Sequence, residues 1–183
     1  MSHLKRVKIN KLTLLIISVC CLSMSGVKCK KETSLTKEEE LPALTQNGAN
    51  TFGFVLNGRV WLPKGALLQN KLNITYDANF NGGTLNITAH RYLDGDQFQS
   101  VAIASYNISK TGTYSIDKDK VLVSFYKTES CTYSSHEIVP KGVLKITKLD
   151  LTEKVISGSF EFVLEKQGCE IINATEGRFD LKI

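Results

Sequence analysis

From Thr51 onward the chain alternates apolar and polar residues in short runs separated by Gly, Asn and Asp. This is the period-2 pattern of half-buried strands. "TFGFVL", Asn57-Gly58 and "RVWL" together predict a hairpin, because Asn-Gly supplies the two positive φ values of a type I′ turn. A two-residue loop sets Phe54 opposite Trp61 and Leu56 opposite Arg59. "LNITYDA" sends Leu72, Ile74 and Tyr76 to one face and Asn73, Thr75 and Asp77 to the other. Past Asn81-Gly82-Gly83, "TLNITAHRY" gathers Leu85, Ile87 and Ala89 on one face and leaves His90 on the polar one. "QFQSVAIASYNI" is apolar on both faces for part of its length, which predicts a central strand.

"KVLVSFYK", "GVLKITKLDL", "VISGSFEFVLEK" and "EGRFDLKI" continue the alternation, with Ile156, Phe160, Phe162 and Leu164 aligned, then Phe179, Leu181 and Ile183. Only "PKGALLQNK" reads as a helical turn. About ten short strands in one domain predict an all-β fold, either an antiparallel β-sandwich or a flattened β-barrel, which share the same periodicity. Arg178 and Asp180 fall on the outward face of the last strand, where charges paired across strands would blunt a sheet edge.

The first 28 residues follow a different pattern. Lys5, Arg6, Lys8 and Lys11 precede an uncharged, mostly apolar run from Leu12 to Val27, 16 residues long. A basic flank and a run shorter than the ~20 residues of a membrane span predict a secretory signal peptide. Residues 1–28 hold five of the 23 Lys and Arg and none of the 18 Asp and Glu, so the remainder carries 23 − 5 = 18 basic and 18 acidic groups. The formal net charge of +5 belongs to the leader, and the basic footprint of a nucleic-acid binder is absent from the rest. "CKKETSLTKEEE" is charged and free of aromatic residues, the composition of a solvated tether. The expected organisation is a signal over 1–28, a tether over 29–44 and a single β-domain over 45–183.

Three sites of leader removal are open: before Cys29, before Cys20, or after Ser25. Cleavage before Cys29 puts the charged tether directly behind a lipid-bearing residue, making Cys29 the expected lipid anchor, although Lys28 departs from the small residues that normally precede such a cysteine. Cys20 and Cys21 are then lost with the leader, and Cys131 and Cys169 remain as an even pair in an oxidising compartment. Both follow predicted strands, and a disulfide between them is expected.

The chain offers little catalytic patterning. His90 and His136 lie far apart with no ligand spacing between them, and His90 is expected to face solvent. "DGD" at Asp94–Asp96 resembles part of a calcium loop, but hairpin turns use Asp-Gly equally. No G-x-S-x-G elbow, P-loop or dinucleotide fingerprint occurs, so no catalytic residue, metal ligand or cofactor is assigned. Trp61, the only tryptophan, has two readings: an exposed ring contacting a ligand, or a core residue beside Phe54. The second has the support of the predicted hairpin register.

"LPALTQNGANTFGFVLNGRVWLPKG" at the front, and "GVLKITKLDLTEKVISGSFEFVLE" with "EGRFDLKI" at the rear, resemble a family of secreted lipoprotein domains of unknown function from Bacteroidota. The resemblance covers roughly residues 41–66 and 142–183. It implies an exported, lipid-anchored β-domain of the bacterial cell envelope, on the periplasmic or surface face of the outer membrane, and it implies no activity. The function expected is that of a binding or interaction module, whose partner is a glycan, a small apolar ligand or an envelope protein. An envelope hydrolase with a loop-built site, or a purely structural component, is the alternative.

Overall fold

A computed structural model describes residues 39–65, 70–93, 97–117, 119–127 and 130–183. The expected leader, Cys20, Ser25, Cys29 and most of the expected tether lie outside the described residues, as do "DGD" and part of "PKGALLQNK". The described chain contains eleven strands and no helix: β1 (Thr51–Leu56), β2 (Arg59–Trp61), β3 (Leu72–Asp77), β4 (Thr84–Tyr92), β5 (Phe98–Ser105), β6 (Gly112–Ile116), β7 (Val121–Tyr126), β8 (Thr132–Ser134), β9 (Lys141–Asp150), β10 (Val155–Leu164) and β11 (Ile172–Lys182). They form two antiparallel sheets, β2-β1-β11-β10-β9-β6 and β3-β4-β5-β7-β8. Neither sheet closes on itself, so the architecture is the sandwich and not the barrel.

The hairpin forms in the expected register, Phe54 opposite Trp61 and Leu56 opposite Arg59. Asn57 and Gly58 have φ of 48° and 81°, as a type I′ turn requires. A Cβ at Gly58 would meet no atom within 4 Å, so a side chain there is opposed by backbone conformation alone. Gly58→Val is expected to cost about 2 kcal/mol, since a β-branched residue resists positive φ. Thermal melting tests this; an unchanged Tm would show that the turn tolerates the residue.

Both inner faces supply the core. Phe52, Phe54, Trp61, Phe160 and Phe162 from the six-stranded sheet meet Leu85, Ile87, Val101, Ile103, Val123 and Phe125 from the other. Phe52 stacks on Phe160 at 5.3 Å and Phe160 on Phe162 at 5.9 Å, spacings that add to what apolar burial contributes. Gly158 lets this layer close: a Cβ there would fall 2.2 Å from the Lys145 carbonyl oxygen and 2.7 Å from the Phe179 ring. β5 is central in its sheet, as its two apolar faces predicted.

Three differences from the sequence reading have physical causes. β6 and β8 are additional strands; both are sheet edges, and β6 shows the largely exposed "GTYSI" that alternation cannot mark. β11 lies between β1 and β10, so the edge-blunting role assigned to Arg178 and Asp180 does not apply. The compact unit runs Glu39–Ile183 rather than starting at residue 45. Its first residues are tied down: Thr45 Oγ1 donates to Asp180 at 2.6 Å, and the Asn47, Gly48 and Ala49 amides donate at 3.0, 2.8 and 3.1 Å.

Candidate functional site

Two surfaces of the sandwich carry chemistry. The first is the outer face of the five-stranded sheet. Alternation along β4, β5, β7 and β8 directs Asn86, Thr88, His90 and Tyr92, then Phe98, Ser100, Ala102 and Ala104, then Leu122, Ser124, Tyr126 and Ser134 outward. These four strands present no Lys, Arg, Asp or Glu on that face. Lys145, Glu161, Arg178 and Lys182 stand on strands of the opposite sheet.

At one end of these four strands, away from the outward Asp77 of β3, four rings from three strands touch. Phe98 stands at the centre, with His90 at 5.4 Å, Tyr92 at 5.0 Å and Tyr126 at 5.7 Å. All four are half-buried. His90 therefore does not stand free in solvent as expected: the cross-strand register places its ring against Phe98, and its Nδ1 is buried without a hydrogen-bond partner among the described residues. Beside these strands lies a furrow of about 180 Å³ lined by Ala102, Ala104, Leu122, Ser124, Ser134 and His136, among others. The Ser135 hydroxyl fixes its wall by accepting from the Val123 amide at 2.7 Å and donating to the Val123 carbonyl at 2.6 Å.

The second surface is a cleft of about 460 Å³ where the tip of the β1–β2 hairpin meets the ends of β4, β5 and β7. Arg59, Arg91, Lys127 and Glu170 line it together with Trp61 and Gln99. Trp61 is 2% exposed, packed at 4.9 Å against Phe54, and its indole N–H donates to Gln99 Oε1 at 2.8 Å. The structure thus places Trp61 in the core with one polar edge satisfied at the cleft. Asn57 fastens the hairpin tip: its side-chain amide donates to Glu170 Oε1 and to the Ile171 carbonyl, each at 2.8 Å, while its Oδ1 accepts from the Asn173 amide at 2.8 Å. Lys127 pairs with Glu170. The Lys127 ammonium and the Asn57 amide hold the Glu170 carboxyl below its ordinary value.

The Cys131–Cys169 disulfide forms beside this cleft, with Cα atoms 5.7 Å apart, well inside the bonding range. It ties the chain after β7 to the chain before β11, and so one sheet to the other. Immediately after it, the Glu170 carbonyl accepts from the Tyr133 hydroxyl. Sequence reasoning reached the two cysteines but not Arg59, Arg91, Lys127 and Glu170. These are scattered over more than a hundred positions, and no spacing joins them. Among the described residues, no group of three His, Cys, Asp or Glu converges to hold a metal.

A two-sheet antiparallel sandwich with an aromatic cluster on one outer face and a basic cleft defines the class. Residues 73–180 match the family described as a domain of unknown function (DUF6252), and since the match spans more than half of the chain, the protein belongs to that family. The match runs from β3 nearly to the end of β11 and includes the middle of the domain; the front segment 41–66 on which the resemblance partly rested lies outside it. No curated protein and no solved structure matches significantly.

Proposed function

We infer that the protein is an exported, lipid-anchored binding module of the bacterial cell envelope, and that the outer face of its five-stranded sheet holds a neutral glycan. The observation that carries this reading is the cluster of His90, Tyr92, Phe98 and Tyr126 on strands whose outward positions carry no formal charge, with Asp77 of β3 at the opposite end of the face. Aromatic rings offer apolar surface to the C–H faces of sugars, while neighbouring Ser, Thr and Asn side chains supply the few polar groups that fix orientation. A charged face would instead favour an ionic partner. Anchorage at Cys29 through the charged tether follows from the sequence pattern at residues 25–43 and leaves the domain free to reach a polysaccharide.

The test has two arms. Wild-type protein should co-sediment with an insoluble neutral polysaccharide such as cellulose or β-1,3-glucan, and Phe98→Ala with Tyr126→Ala should weaken retention about tenfold, the effect of losing anchoring rings. Equal retention of wild type and variant, or none by either, rejects the glycan reading. In cells, Cys29→Ala should move the protein from the membrane to the soluble envelope fraction. Membrane retention with an unchanged lipid mass shift rejects that anchor.

A further inference from the structure

The basic cleft is separate from the sheet face, and its cations are not equally committed. Lys127 is occupied by Glu170. The Arg59 side chain is exposed and makes no ion pair or hydrogen bond among the described residues, its charge acting on the Glu170 carboxyl across the cleft. Arg91 is the most enclosed: its side chain is 13% exposed, and Nη1 donates to the Leu62 carbonyl at 3.0 Å. Its remaining partner is no part of the cleft lining. Glu39, the first described residue, reaches back from the N-terminal segment to place its carboxylate 2.8 Å from Arg91 Nη2. A nearly enclosed guanidinium left without an anion is costly, and here the anion comes from a residue that lies outside the strands and the cleft lining. Glu39 keeps 38% of its side chain exposed, so the carboxylate can leave without unpacking the core.

Around these cations the lining is mixed: Leu56, Val60, Leu93 and Ile172 supply apolar surface, beside the Asn57 and Gln99 amides and the Glu170 carboxylate that Lys127 already neutralises. Such a cleft, with an apolar patch beside convergent polar groups, is suited to a small amphipathic molecule. Arginine forks match carboxylates in particular. We propose that this cleft binds an organic carboxylate with an apolar body, its carboxylate taken by Arg91 and Arg59, and that Glu39 is a built-in competitor for Arg91. Binding then frees Glu39 from Arg91 while residues 45–49 stay held by Asp180, so that occupancy of the cleft and the Glu39–Arg91 pair oppose each other. The proposal stands whether or not the sheet face holds a glycan.

Trp61 is the only tryptophan of the chain and lines the cleft, so intrinsic fluorescence of the full-length protein reports occupancy. Phenylacetate should change the emission saturably. Its uncharged analogue phenylacetamide and inorganic phosphate should each bind at least about fivefold more weakly, one lacking the charge and the other the apolar body. Glu39→Gln should tighten phenylacetate binding about fivefold by removing the competitor, and Arg59→Gln should weaken it by a similar factor. Absence of a saturable change overturns the proposal, as does equal binding of the amide or of phosphate. If Glu39→Gln leaves affinity unchanged while retaining the wild-type Tm, the competition is overturned. Arg59→Gln removes no hydrogen bond of the described fold, and it decides the carboxylate site even if Glu39→Gln lowers the Tm.

Discussion

Asp180→Ala is expected to destabilise the domain by about 4 kcal/mol and to lower its Tm by roughly 10–15 °C. The side chain is 1% exposed and accepts from the Thr45 and Ser157 hydroxyls and from the Asn47, Gly48 and Ala49 amides. Truncation strands these donors where water has little access, and each buried orphan costs about 1–3 kcal/mol. Asp180→Asn should fare little better, because its NH₂ would point at groups that already donate. Burial opposes ionisation of Asp180, but the Thr45 and Ser157 hydroxyls and the Ala49 and Gly48 amides outweigh it and hold the carboxyl well below the usual carboxylate range. A depressed native pKa contributes stability that is fully present above the unfolded value near 3.8 and is lost as pH falls through the native value. The gap between wild type and Asp180→Ala should therefore be full at pH 6 and narrow progressively below about pH 4. Urea denaturation at both pH values measures it; a loss under 1 kcal/mol at pH 6 would show that the N-terminal segment is held by other contacts.

Reducing the Cys131–Cys169 bond should cost a similar amount. The bridge closes a separation of 38 residues, for which the chain-entropy model gives about 4 kcal/mol. It also holds the two sheets together beside the Lys127–Glu170 pair, so reduction should loosen the cleft before the rest of the core. Denaturant midpoints of the oxidised protein and of Cys131→Ser with Cys169→Ser check the magnitude. Coincident midpoints would show that the bridge spans a region already fixed by packing. Alkylation of both thiols without a reductant would show that the bond is absent in the protein as made.

Asp180 also shows where sequence reasoning stops. Alternation correctly put it on the outward side of the last strand, and on an edge strand that position would have met water. Here the strand is interior, and residues 45–49 fold over that side. A carboxylate that reads as a surface charge becomes the acceptor for the chain's entry segment. His90 is a parallel case. Its face was read correctly, but the ring partner Phe98 sits on another strand, so its exposure was not.

What the sequence by itself determined is local. Period-2 alternation records which side of each strand is buried, Asn57-Gly58 fixes a hairpin and its register, and an apolar run on two faces marks β5 as central. Cysteine arithmetic joined Cys131 to Cys169 once Cys20 and Cys21 of the expected leader and the expected anchor Cys29 were set aside. The tertiary structure decided what alternation does not encode, namely which strand lies beside which. β1 pairs with β11 across more than a hundred residues, and β6 leaves its sequence neighbours to pair with β9. Sandwich and barrel share one period and differ only in those pairings. Only after the sheets were ordered did Arg59, Arg91, Lys127 and Glu170 surround one cleft, and four rings meet on one face. Contacts of that kind depend on backbone hydrogen bonds between distant strands, and such bonds leave no mark on the spacing of side chains along the chain.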